Sequence, residues 1–408
     1  MEIVIYFIFF FAWFLFNYKS HGFNGGTFVI FLYLSSIVCA GYMISFSSMF
    51  DAGKLDFFAV VSHVLFLFLF LFPFIYATNH HKLIDLTKTT LNFLFYMVFV
   101  FSVFSYLAYL PKVISVFQYG SLGEARVAFY MGTLNAEDVG GISAYIGIVG
   151  RTISLVSLYL FFYFIAKSES KIKVSILFFC SFVDVFVSLS YAGRGGITRW
   201  IFMMVFYYFL FNDYLSPVIK NKIKTALTIS ILPMVVIFLV VSYSRFSGRE
   251  FSVIEFILGY FGQPFIYFSY IFYDFFDNTY SGQQVFPLFG MPAEGLYSDK
   301  LNGIDYYINT FSTFVGSIYK DVGFLITLLI AMFFSIVTIV TYRVERLSTK
   351  LYRLIYFVII ANIFVNGLFY FQFSSSTLLK GFLLLLVLGY FLPFFIEFFA
   401  TDKKFKRN

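Results

Sequence analysis

Apolar stretches about as long as a bilayer is thick recur along this whole chain, and no polar block between them is large enough to fold alone. A membrane helix needs roughly 20 mostly apolar residues. Runs that meet or approach this length cover 3–18, 26–48, 57–77, 91–110, 142–166, 172–192, 198–211, 225–243, 323–342, 354–372 and 377–400. In hydrocarbon, backbone groups must bond within their own segment, so each run is expected as a helix. Composition agrees. Charged residues are 12% of the 408, where a soluble domain carries roughly a quarter. Phenylalanine (65) and tyrosine (32) exceed what a soluble core uses, and aromatic side chains suit lipid and its interfaces. The expected fold class is all-α: a single polytopic membrane domain over 1–408 with about eleven transmembrane helices. One large external loop, 244–322, is expected between two of them, containing interfacial or re-entrant helices. Within it, 251–276 is very aromatic and broken by Gly259, Gly262 and Pro264, which reads as a helix–turn–helix.

Basic residues set the orientation. Every second connection collects Lys19; Lys82 and Lys88; Lys167, Lys171 and Lys173; Lys220, Lys222 and Lys224; Arg343, Arg346, Lys350 and Arg353; then Lys403, Lys404, Lys406 and Arg407. The other connections collect Asp51, Asp56, Glu124, Glu137, Asp138 and the acids of the large loop. The C-terminus is therefore placed in the cytoplasm, and the large loop outside. The net charge of +7 is an anchoring asymmetry and not a nucleic-acid footprint, because no basic patch is interleaved with aromatics on a polar surface. Glu2 and the apolar run behind it lack a basic leader and a small-residue cleavage site, so the run reads as a retained span. Cys39 and Cys180 both fall inside apolar runs, as small buried hydrophobes.

The outer side is poor in basic residues, so each arginine there needs a reason. Tyr191 to Arg199 forms a tight turn in which Gly193, Gly195 and Gly196 flank Arg194. Glycines let the backbone approach a ligand closely and leave its amides accessible. Arg245 and Arg249 leave the run 225–243 one helical turn apart and share a face on a continuing helix. Guanidiniums from Arg194, Arg199, Arg245 and Arg249 suit a multiply charged anion held by bidentate forks, a lipid phosphate or pyrophosphate in a membrane-facing site. Snorkelling to headgroups, or pairing with Glu250 and Glu255, is the alternative.

Asp184 lies midway along one run and Arg151 about ten residues into another. Ionisable groups inside a membrane are costly and by default functional or mutually paired. Two readings stay open: an Asp184–Arg151 pair that fixes helix register, or a role facing the substrate. The four histidines all precede residue 82, and neither HExxH, paired Cys, DxD nor a phosphate loop with a following Lys-Ser/Thr occurs. No metal and no cofactor is expected.

The large loop closes on Thr313-Phe314-Val315-Gly316-Ser317-Ile318-Tyr319-Lys320-Asp321-Val322-Gly323. With many spans, an aromatic-rich outer loop, and Gly193-Arg194-Gly195 after a middle span, this ending resembles the Wzy oligosaccharide repeat-unit polymerases. Thr313, Gly316, Tyr319, Asp321 and Gly323 match that family's Thr-x-x-Gly-x-x-Tyr-x-Asp-x-Gly-like element. The resemblance implies a metal-independent membrane glycosyltransferase of surface polysaccharide or O-antigen biosynthesis. Its substrates would be polyprenyl-pyrophosphate-linked oligosaccharides, its surroundings membrane lipid, and a chain-length regulator its protein partner. Arginines then stabilise the leaving pyrophosphate, Tyr319 and Lys320 join the substrate-binding set, and Asp321 or Glu250 accepts the proton of the attacking hydroxyl. The competing expectations are an O-antigen ligase-like transferase, lowered because no His falls in the large loop, and a lipid-linked oligosaccharide flippase. A flippase would need charges spread along many spans.

Overall fold

The apolar runs fold as backbone chemistry in hydrocarbon requires: their described residues lie mostly on helix, and all the secondary structure described is helical. The computed structural model of the chain describes residues 2–51, 53, 55–119, 124–125, 142–190, 192–193, 195–246, 252–276, 311–343, 350–371 and 376–405. Among them, eight helices are long and apolar enough to cross a membrane, and Gly195–Leu210 and Leu379–Pro393 are shorter apolar helices. Whole rows of large apolar side chains face outward, such as Ile8, Phe11, Leu15 and Phe16, or Ile229, Leu232, Val236 and Leu239. Water would penalise such faces and lipid does not. The chain falls into two compact units, 1–81 with 246–340 and 361–379, and 82–245 with 341–360 and 380–408.

The first unit begins with α1 (Glu2–His21), α2 (Gly25–Phe46) and α3 (Phe57–Asn79). Asn24 and Asp56 cap α2 and α3, their side chains accepting from Thr27 N and Ala59 N, so the first turn's orphan donors are satisfied. Asn17, Asn24, Thr27 and Asn79 form a closed polar knot joining the α1–α2 turn to the end of α3. The unit also holds α10 (Val253–Ile271) and most of α11 (Thr313–Arg343).

The second unit holds α4 (Lys88–Phe117), α5 (Ile142–Ala166), α6 (Lys171–Cys180), α7 (Val183–Leu189), α8 (Gly195–Leu210) and nearly all of α9 (Pro217–Phe246). Two further helices are α12 (Lys350–Asn366) and α13 (Ser376–Phe405). Lys167 donates to Asp85 at 2.6 Å and Tyr163 to Ile84 O at 2.9 Å, so the connection before α4 meets the one after α5. Helices α4 and α5 therefore run antiparallel.

Four expectations change in detail. Residues 253–271 form one helix rather than a helix–turn–helix, because its glycines serve packing: a Cβ at Gly262 would sit 2.7 Å from Ala40 N of α2. Run 172–192 is two helices, parted at Ser181–Phe182, where the Trp200 indole N–H donates to Ser181 Oγ at 2.9 Å. Helix α4 runs on past the end of run 91–110, through Pro111 to Phe117. The run beginning at 323 is preceded by a separate helical piece, because Gly323 adopts φ 73 and ψ −174 inside α11.

Candidate functional site

Two constellations carry ionisable side chains at depth, one in each unit. In the second unit, Asp184 opens α7 and is only 8% exposed. Its Oδ1 accepts Nε of Arg151 at 2.7 Å and its Oδ2 accepts Nε of Arg199 at 2.8 Å. The local sequence makes this reachable. A Cβ at Gly196 would lie 2.5 Å from Asp184 O and 2.6 Å from Ser188 Cβ, so only glycine lets the start of α8 rest on α7. One turn further on, Arg199 then meets the carboxylate. A Cβ at Gly150 would likewise lie 2.3 Å from Phe101 O of α4, and the next residue is Arg151. The turn between α7 and α8 is fixed by Ser188, which accepts Gly196 N at 3.0 Å and donates to Gly193 O at 3.0 Å.

The cluster is two guanidiniums on one carboxylate, a net charge of +1 with little access to water. The Asp184–Arg151 pair is present as the sequence allowed, and Arg199 joins it. Each bond uses Nε, one of five N–H donors on a guanidinium. The planar forks are thus directed by the carboxylate and carry more positive charge than it cancels.

In the first unit, α11 starts at Thr313 and is interrupted at Gly323, so 313–322 forms a half-helix ahead of the spanning piece. Tyr319, Lys320 and Asp321 are 0%, 6% and 0% exposed. The Tyr319 hydroxyl donates to Phe272 O at 2.7 Å, and its ring stacks on Phe272 at 5.3 Å. Tyr319 is buried in the core, where it ties α11 to the end of α10. Lys320 and Asp321 end the half-helix. Two adjacent ionisable residues buried beside a helix break follow the general pattern in which irregular backbone within a membrane protein marks function.

Of the other expected site residues, Arg194, Arg249 and Glu250 lie outside the described residues, as does 277–310 of the large loop. The backbone of Arg245 lies in the last turn of α9, and its side chain is outside the described residues. Glu255, the alternative partner for the arginines, accepts Ser252 N at 2.9 Å and Ser47 Oγ at 3.1 Å. These bonds hold its carboxyl below the usual range. Tyr270 donates to Asp51 O at 2.6 Å and Tyr273 to Asp56 Oδ1 at 3.0 Å, so the far end of α10 meets the α2–α3 connection.

One buried ionisable side chain escaped sequence reasoning. His63, in α3 and 0% exposed, touches Tyr6, Thr313 and Phe268. Its position inside the run 57–77 was the available signal.

No group of three or more His, Cys, Asp or Glu among the described residues could hold a metal ion. Buried ion pairs inside helices whose outer faces are apolar define an all-helical, multi-pass membrane protein. No family model matches the chain, and no curated protein or solved structure shows a significant similarity to it.

Proposed function

We propose that the chain is a polymerase of polyprenyl-pyrophosphate-linked oligosaccharide repeat units. It works without a metal at the periplasmic face of a bacterial inner membrane that it crosses with eleven helices, the 244–322 segment lying outside. The observation that carries this reading is the Arg151–Asp184–Arg199 cluster below the Gly193–Gly196 turn. A buried excess of positive charge on preoriented guanidiniums suits a lipid pyrophosphate, whose negative charge grows as it leaves. The meeting of α10 with the Asp51–Asp56 connection adds support, since both fall on the acidic side of the charge alternation.

In this reading the acceptor hydroxyl oxygen bonds to the anomeric carbon of the growing glycan while that carbon's bond to the phosphate oxygen breaks. The electron pair goes to the departing polyprenyl pyrophosphate, met by Arg199 with Arg194, Arg245 and Arg249. The hydroxyl proton passes to the carboxylate of Asp321 or Glu250. Lys320 adds positive charge from the half-helix, and the aromatic loop keeps water from competing as acceptor.

The test is incubation of purified protein with a lipid-pyrophosphate repeat unit, with Arg194→Ala and Arg245→Ala alongside. The expected result is longer products from the wild type and none from either variant at equal protein level. Transfer of glycan to a different lipid would instead mark a ligase, and transbilayer movement without extension a flippase. Long chains in both variants would remove these arginines from the site.

A further inference from the structure

We infer that His63 is a positioning residue that sets the half-helix 313–322, and through it Lys320 and Asp321. Its imidazole is bonded on both sides: Nδ1 lies 2.7 Å from the Tyr6 hydroxyl and Nε2 lies 3.0 Å from Thr313 Oγ1. One ring face stacks on Phe268 of α10 at 3.9 Å and 8°, and the Tyr6 ring meets its edge at 5.6 Å and 88°. The side chain thus joins α1, α3, α10 and α11 in an apolar interior. A leucine or phenylalanine would fill that volume at lower desolvation cost, so the two nitrogens are what the position requires. With the proton assigned to Nε2, the ring donates to Thr313 Oγ1 and accepts from the Tyr6 O–H, and every polar atom is satisfied.

What His63 holds is the strained start of the half-helix. Thr313 has φ 64, a left-handed conformation that is costly for a β-branched residue and persists only where the surroundings fix it. Besides the Nε2 bond, those surroundings are Phe314 N donating to Gly367 O at 2.7 Å and Gly316 N donating to Thr313 Oγ1 at 3.4 Å. From Thr313 the half-helix runs as a rigid rod, and Asp321 lies about 12 Å along it at 1.5 Å per residue. The break at Gly323 then uncouples it from the spanning piece. Asp321 is therefore aimed by what holds the half-helix, His63 at the Thr313 end and the Tyr319–Phe272 contact nearer Asp321, and not by the membrane helix that follows.

The polymerase reading enters only in the task given to Asp321, and the test separates the two. An Asn amide stands where Nδ1 is, and a Gln amide reaches to where Nε2 is. His63→Gln keeps the Thr313 contact and His63→Asn keeps only the Tyr6 contact, so the pair isolates the bond that matters. In purified full-length protein in nanodiscs, His63→Asn is expected to lower kcat by about tenfold or more, as small misplacements of reacting groups do. KM should stay near wild type, because the arginines hold the pyrophosphate, and His63→Gln should retain most activity. Thr313→Val should match the Asn variant, and Thr313→Ser the wild type.

Hydrogen exchange supplies a readout without turnover. Amides of 314–322 should exchange faster in His63→Asn but not in His63→Gln, with 324–343 unchanged in both. Equal behaviour of the Gln and Asn variants in kcat and exchange, or faster exchange spread evenly over both segments, would overturn the inference. If the wild type extends no glycan, the polymerase reading falls and the exchange comparison alone decides the role of His63.

Discussion

Asp184→Asn is the sharpest perturbation of the buried charge cluster. The substitution keeps shape and removes one negative charge, leaving two guanidiniums that each lose an Nε–carboxylate bond of 2.7 and 2.8 Å. The two guanidiniums share one carboxylate, and like unit charges about 7 Å apart repel by roughly 2 kcal/mol at an effective dielectric constant near 20. Removing one partner from a buried ion pair costs about 3–5 kcal/mol, and because one carboxylate here serves two arginines the upper end applies. Arg199→Gln differs in kind. It leaves a neutral Asp184–Arg151 pair, and a lost hydrogen-bond partner of this sort costs about 1–3 kcal/mol. Asp184→Asn should therefore destabilise more than Arg199→Gln or Arg151→Gln. The Asp184→Asn/Arg199→Gln double variant should be less destabilised than the sum of its singles, since each single removes the same Arg199–Asp184 bond.

The assay is the thermal midpoint of detergent-solubilised protein, followed by fluorescence-detected size exclusion for the wild type, three single variants and the double variant. Chain extension is measured on the same preparations. The polymerase reading expects the two scales to separate: Arg199→Gln abolishes extension despite the smaller loss of stability. Equal destabilisation by Asp184→Asn and Arg199→Gln, or strict additivity in the double variant, would refute the charge accounting. Full activity of Arg199→Gln would refute the role given to Arg199 while leaving that accounting intact.

Further outcomes follow from single positions. Gly323→Ala places a side chain at φ 73 and ψ −174, a region essentially reserved for glycine that costs an L-residue about 1–3 kcal/mol, and should lower both the midpoint and chain extension. Gly196→Ala puts a Cβ 2.5 Å from Asp184 O, an overpacking expected to cost about 1–3 kcal/mol and to shift Arg199 from its carboxylate. Lys167 holds the Asp85 carboxyl below its usual range, and Asp85 in turn holds the Lys167 ammonium above its own. The Asp85 share of stability is thus present above about pH 4 and is lost as pH falls through the depressed pKa. The Lys167 share is present below about pH 10 and is lost as pH rises through the raised one. Asp85→Asn should accordingly give a small drop in midpoint at neutral pH in low salt, vanishing in high salt and in strong acid, as melting curves would show. Extension by the purified protein should survive chelation of divalent metals; loss of activity that added metal rescues would overturn the metal-free mechanism.

Hydropathy alone found most of the helices, because a backbone in hydrocarbon has one solution, but it gave neither the single helix 253–271 nor the break at Ser181–Phe182. The Arg151–Asp184 pair was also legible, since isolated charges at such depth require partners. The part played by Arg199 was not. Counting charges by side of the membrane groups it with Arg194, Arg245 and Arg249, whereas it lies a turn inside α8, at the depth of Asp184. The motif from Thr313 to Gly323 shows why a pattern of residues does not divide itself into roles. Thr313 and Gly323 bound the half-helix with backbone angles of 64 and 73. Tyr319 staples it to Phe272, which leaves Lys320 and Asp321 as its ionisable groups. None of these roles follows from spacing, because they depend on Tyr6, His63 and Phe268 meeting at one point from distant parts of the chain. A residue that shapes the backbone and one that moves a proton read alike in a sequence and separate only when substituted. Gly323→Ala should cost stability and activity together, whereas Asp321→Asn should cost activity first.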